Sequence, residues 1–191
     1  PPNFWRPPAV MAKAAVFLDR DDTLIENIPY LGDPSQVRLV PGAAEACQKF
    51  RQAGLPLFVV SNQSGVGRGL ISKVQVRAVD AKMESLLGGS GTITGYYHCY
   101  AAPGDPYDEK RKPSPAMLLE ASQEHGLDLA RCVMVGNRLS DIQAGLRAGC
   151  LAVLLDLRVP SDEKTEAIKT ASFTAKDWPA ATEWILPRTK A

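Results

Sequence analysis

Two carboxylates stand one residue apart in the run Asp19-Arg20-Asp21-Asp22-Thr23, directly after the apolar stretch Ala14-Ala15-Val16-Phe17-Leu18. Side chains two positions apart beside a strand point the same way, so Asp19 and Asp21 can face one site. Like charges that close need a cation or a shared proton to be tolerated. A hard divalent ion such as magnesium meets that need with oxygen ligands. Taken alone, the run reads equally well as a solvated turn, because Asp favours turns.

Three further stretches bring groups suited to the same chemistry. Ser61-Asn62-Gln63-Ser64-Gly65-Val66-Gly67-Arg68-Gly69 follows a second apolar run, and its hydroxyl, amide and exposed backbone N–H groups suit a phosphoryl group. Arg111-Lys112-Pro113-Ser114-Pro115 sets a lysine at a helix start, where it can place a point charge on a transferring phosphoryl group. Gly136-Asn137-Arg138-Leu139-Ser140-Asp141 follows another apolar run and brings a carboxylate that could complete a metal shell. Each has a bland reading too: a polar turn, a surface basic pair, or an Asp in a helix's first turn, where it is favourable anyway.

The elements that must position these residues alternate. Apolar runs over 14–18, 55–60, 96–101, 132–135 and 151–155 read as buried strands, with a short sixth near Phe173. Helical spacing or caps predict helices from Ala43 to Gly54, Ser72 to Leu87, Ser114-Pro115 to Gly126, Ser140 to Ala148 and Asp177 to Ile185. Residues 20–41 and 61–69 read as loops. The alternation predicts an α/β, Rossmann-like, doubly wound, mostly parallel sheet with helices on both faces. Asp19, Ser61 and Gly136-Asn137 then fall at carboxyl ends of strands, where the ligand crevice of an open sheet lies.

Composition narrows the class. The 191 residues carry a formal net charge of +1, with 45% hydrophobic and 23% charged residues. That predicts one ordinary globular domain and argues against nucleic acid or a membrane as partner. No apolar run approaches membrane-spanning length. The four cysteines, Cys47, Cys99, Cys132 and Cys150, are scattered in apolar runs and read as reduced core residues. Residues 1–10 read as an extension outside a single domain over 11–191, and the expected state is a cytoplasmic monomer.

In order, spacing and context the four motifs resemble those of the haloacid dehalogenase superfamily of phosphatases across nearly all of residues 12–187. The resemblance implies Asp19 as nucleophile, Asp21 as general acid and base, Ser61 and Lys112 as phosphoryl-stabilising groups, and a magnesium ion held by Asp19, the backbone carbonyl of Asp21, and residues of the stretch from Asn137 to Asp141. Phe17-Leu18-Asp19-Arg20-Asp21, Asn62-Gln63-Ser64-Gly65-Val66-Gly67-Arg68-Gly69 and Arg111-Lys112-Pro113 are similar to the D-glycero-D-manno-heptose bisphosphate phosphatases and related histidinol-phosphatase domains. No segment is long enough for a large cap domain. Asn62, Gln63, Arg68 and Arg111 are the candidates for substrate binding.

The chain departs from that group at three places. Asp22 stands where the heptose group has glycine. The group's zinc loop is represented only by His98-Cys99, and no further cysteine follows before Cys132, so four tetrahedral ligands cannot be assembled and no structural zinc is expected. Asn137 stands where the family has a metal-binding Asp, and brings an oxygen without a charge. The expected activity is hydrolysis of a small phosphorylated sugar resembling a heptose bisphosphate. The alternatives are a histidinol-phosphate or other phosphate-ester phosphatase, and a catalytically weak scaffold that binds a phosphorylated ligand.

Overall fold

The computed structural model describes residues 13–189; the extension expected over residues 1–10 lies outside them. Six strands form one sheet: β1 (Val16–Leu18), β2 (Leu57–Asn62), β3 (Gly95–Cys99), β4 (Val133–Gly136), β5 (Leu151–Leu155) and β6 (Phe173–Ala175). Every pairing is parallel, and the order is β3-β2-β1-β4-β5-β6. The helices are α1 (Ala43–Gln52), α2 (Ser64–Gly67), α3 (Lys73–Leu87), α4 (Ala116–His125), α5 (Leu139–Ala148), α6 (Lys164–Thr170) and α7 (Trp178–Ile185). This is the Rossmann-like doubly wound arrangement, with no large cap among the described residues. No helix among the described residues is long and apolar enough to cross a membrane.

The strands read as unbroken apolar runs because both sheet faces are covered. Val16, Leu18, Leu57 and Val59 face one core with residues of α1, α3 and α7. Ala15, Phe17, Phe58 and Val60 face the other, with residues of α4 and α5. All four cysteines are buried and free.

Helix starts and stops follow their capping chemistry. Ser72 and Gln75 close a reciprocal capping box at the start of α3. Gly126, at φ 64°, ends α4 in the left-handed conformation glycine adopts without strain. Two helices arise where the sequence predicted none. α2 is a single turn inside the expected loop, steadied by Gly67 N–H donating to the Tyr100 carbonyl at 2.9 Å. α6 buries only Ala167, so it has no apolar periodicity to read.

The strand order reverses between β1 and β4, and such a switch point opens a crevice at the strands' carboxyl ends. The Asp19 N–H donates to the Val135 carbonyl at 2.9 Å, so the end of β1 is tied to the end of β4. The turn after Asp19 is braced from below by α7: the buried Trp178 indole donates to the Thr23 carbonyl at 3.0 Å.

Candidate active site

At the switch point lies a cleft of about 490 Å³ whose walls include Asp19, Asp21, Ser61, Arg111, Lys112 and Asp141. Residues distant in sequence converge here: Asp19 and Asp21 follow β1, Ser61 ends β2, Arg111 and Lys112 lie in the loop before α4, and Asp141 is in the first turn of α5.

The buried Lys112 ammonium is the hub on one side. It donates to Asp19 Oδ1 at 2.6 Å and to the Val60 carbonyl at 2.8 Å, and pairs with Asp141 Oδ1 at 2.6 Å. An ammonium has three donors, and all three are engaged. Lys112 therefore fixes Asp19 directly and acts on incoming charge through its field. Burial works against its charge, but Asp141 and Asp19 outweigh burial and hold its pKa above the usual lysine value. The two carboxylates must share that one cation. Burial first, then the Asp141 charge, push the Asp19 pKa up to about 7 against the pull of Lys112, and Asp21 adds to the rise. Without a metal, this centre is short of positive charge.

Asp21 is held on the other side. The Arg20 guanidinium, 1% exposed, donates through Nε and NH2 to the two Asp21 oxygens at 3.3 and 3.2 Å. Gln63 Nε2 donates to Asp21 Oδ2 and to Ser61 Oγ, each at 2.8 Å. The Ser61 hydroxyl thus accepts from Gln63 and keeps its own proton to donate.

Some expectations change on this geometry. Asn62 is not turned to a ligand: its amide donates to the Lys112 carbonyl at 3.2 Å and its oxygen accepts from the Lys112 N–H at 3.0 Å, so it positions the lysine. Gln63 likewise positions Asp21 and Ser61. Arg68 is exposed and is not part of the cleft wall. Arg111 lines the cleft, and its NH1 is buried with no hydrogen-bond partner among the described residues. Asp141 Oδ1 meets Lys112 and Oδ2 accepts from the Arg138 N–H at 2.9 Å, so Asp141 sets Lys112 and the start of α5. Its side chain fills the space beside Gly136, where a Cβ would come within 2.4 Å of it; this is why glycine precedes Asn137.

Asn137 is buried, and its Nδ2 donates to the Arg158 carbonyl at 3.0 Å. Only an amide nitrogen can make that bond, so Oδ1 is the atom left to offer a cation. The Arg158 side chain in turn reaches Asp22 and Glu26 at 3.3 and 3.1 Å. Asp22 has a φ of 60°, the left-handed conformation that explains glycine as the usual residue there. Asp tolerates it better than most residues, and Asp22 Oδ1 also accepts from the Asn27 N–H at 3.3 Å.

The donor set fits magnesium: hard oxygens from Asp19, the Asp21 backbone and Asn137, beside two carboxylates that share one ammonium. His98 and Cys99 contribute nothing to such a set, since His98 Nε2 faces Asp80 and Cys99 is buried in the α4 and α5 core. Asn137→Asp is expected to tighten magnesium about tenfold, because the added charge meets the ion directly. It should also lower metal-free stability by about 1–2 kcal/mol, through the lost bond to Arg158 and an added buried carboxylate. Calorimetric titration and denaturation check both; equal or weaker magnesium affinity excludes Asn137 as a ligand.

Sequence reasoning passed over Arg20, Asp80 and Thr23. Thr23 Oγ1 lies 3.5 Å from Asp19 Oδ2. No sequence signal marks Asp80 except its place on the apolar stripe of α3, where a charge is out of pattern.

Comparison with known proteins places the chain in a family. The family described as haloacid dehalogenase-like hydrolase matches residues 30–149. A protein of Thermosynechococcus vestitus named D-glycero-D-manno-heptose-1,7-bisphosphate 7-phosphatase is 33% identical over 189 residues, spanning 92% of this chain and 96% of that one. A Yersinia pestis protein named D-glycero-beta-D-manno-heptose-1,7-bisphosphate 7-phosphatase is 30% identical over 179 residues, spanning 90% and 89%. The crystal structure of D,D-heptose 1,7-bisphosphate phosphatase from B. bronchiseptica, complexed with magnesium and phosphate, superposes with a TM-score of 0.79 at 26% identity, covering 91% of this chain and 98% of that one. The chain belongs to the haloacid dehalogenase-like hydrolases and is a phosphatase of that family.

Proposed function

We propose that this phosphatase acts on a small sugar bisphosphate, of the heptose bisphosphate kind, with magnesium and through an aspartyl-phosphate. The observation that carries the bisphosphate reading is Arg111: a guanidinium on the cleft wall, next in sequence to Lys112, that pairs with no carboxylate among the described residues. A second phosphate on the substrate would satisfy it with charge-assisted hydrogen bonds. The names of the relatives support the same substrate class.

Asp19 attacks phosphorus in line, and Lys112 holds the attacking carboxylate at the end of β1. Asp21 gives its proton to the departing sugar oxygen, then takes one from the water that opens the acyl phosphate. Ser61 donates its hydroxyl proton to a phosphoryl oxygen, with Gln63 keeping that proton pointed away from the protein. Magnesium, held by Asp19, the Asp21 carbonyl and Asn137, would neutralise charge on the phosphoryl oxygens.

The test is a panel of sugar monophosphates and bisphosphates with magnesium, assayed with wild type and Arg111→Ala. Bisphosphates should be preferred, and Arg111→Ala should raise their KM about tenfold while leaving the KM for monophosphates unchanged. An unchanged KM for bisphosphates removes Arg111 from that role.

A further inference from the structure

We infer that Asp80 and His98, acting through Arg20, are positioning residues that hold the Asp21 carboxylate for proton transfer; the inference rests on the acid–base role of Asp21 in the proposed phosphatase reaction. Asp80 lies on α3 among Val76, Val79, Met83 and Leu87, all buried on the stripe that faces the sheet. A carboxylate there is out of pattern and costly to desolvate unless it is paired. It is only 4% exposed, and both its oxygens are used: Oδ1 accepts from Arg20 NH1 at 3.0 Å, and Oδ2 lies 2.7 Å from His98 Nε2.

Arg20 is the pivot. Its NH1 is spent on Asp80 and its Nε and NH2 on Asp21, while NH2 also reaches Gln63 Oε1 at 2.9 Å. A guanidinium is planar and its donors are fixed relative to one another. Anchoring NH1 on α3 therefore sets the direction of the fork that grips Asp21. His98 stands on the edge strand β3, opposite Ser61 in the ladder, and braces the far oxygen of Asp80. The chain His98–Asp80–Arg20–Asp21 thus runs from a strand edge, through a helix, to the end of β1. An apolar pair in place of Arg20 and Asp80 would cost no charge desolvation. What the ionic chain adds is a fixed orientation for Asp21, which carries the reaction's proton.

The experiment compares kcat/KM for glycerol 3-phosphate and 4-nitrophenyl phosphate, with magnesium, in wild type, Asp21→Asn, Asp80→Ala, Asp80→Asn and His98→Gln. This parameter covers the steps up to leaving-group departure. The glycerol alkoxide needs a proton from Asp21, whereas nitrophenolate leaves without one. Asp80→Ala should lower the value for glycerol 3-phosphate about 10- to 100-fold and that for the aryl ester less than about threefold. His98→Gln and Asp80→Asn should show the same selectivity at smaller size, and they carry the test if Asp80→Ala fails to fold. Asp21→Asn sets the upper limit. Equal losses on both esters, or no loss, overturn the inference. If Asp21→Asn itself shows no selectivity, the acid–base role of Asp21 falls and takes the inference with it. Wild type inert on both esters and on sugar bisphosphates overturns the proposed reaction first.

Discussion

Asp19→Asn is expected to abolish turnover, by at least about 10⁴-fold, while stabilising the metal-free protein at pH 8. The two effects have one cause. An amide cannot form the aspartyl-phosphate, so the first step is lost. The same amide keeps an oxygen for the Lys112 ammonium and drops a charge that the buried site does not fully compensate. The sign with pH follows from the raised pKa of Asp19, about 7 in the folded protein against an ordinary 3.8. Between those values the native state binds a proton the unfolded chain does not. Stability is therefore fully present below about pH 4 for this group and is lost as pH rises through 7. Wild type without metal should lose a few kcal/mol between pH 5 and 8. The variant should lack that slope, and magnesium should flatten it in wild type. Denaturation curves at several pH values, with and without magnesium, check this. A variant with wild-type slope would show that Asp19 is not the proton-binding group, and residual turnover near wild type would remove it as nucleophile.

Why was Asp19 legible and Arg20 not? Asp19 ends an apolar run whose length and flanking loop mark a strand, and strand ends are where such a sheet keeps its crevice. The same logic found Ser61 and Asn137. Arg20 sits between two notable carboxylates, but its partners Asp80 and Gln63 lie 60 and 43 positions away. Nothing local shows that it turns into the protein instead of toward solvent. Asn62 and Gln63 do line the cleft, yet their side chains turn to Lys112, Asp21 and Ser61. Residue type tells that an amide will hydrogen-bond; only the packed loops decide to what. The tie from Asn137 through Arg158 to Asp22 is of the same kind, since it joins loops that follow different strands. Strands were legible because burial on both faces leaves an unbroken apolar run. α6, with one buried residue, left no such trace.

Lys112→Met should be the most damaging single change to the fold at this site. Lys112 is 4% exposed, and the cation it supplies is shared by Asp19 and Asp141 at 2.6 Å each. Methionine fills similar volume but leaves two buried carboxylates facing each other, and breaking a buried ion pair on one side costs about 3–5 kcal/mol. Turnover should fall about 10²- to 10³-fold even in the folded fraction, because the attacking carboxylate loses its anchor and the phosphoryl charge loses a nearby cation. Arginine should not rescue. The ammonium meets three acceptors, Asp19, Asp141 and the Val60 carbonyl, around one nitrogen. A planar fork needs more room and points its donors in one plane. Lys112→Met,Asp141→Asn, by contrast, removes one of the two stranded charges and should recover part of the lost stability without recovering turnover. Chemical denaturation and steady-state rates of the single and double variants measure both. A double variant no more stable than Lys112→Met would show that the carboxylates are not the source of the penalty.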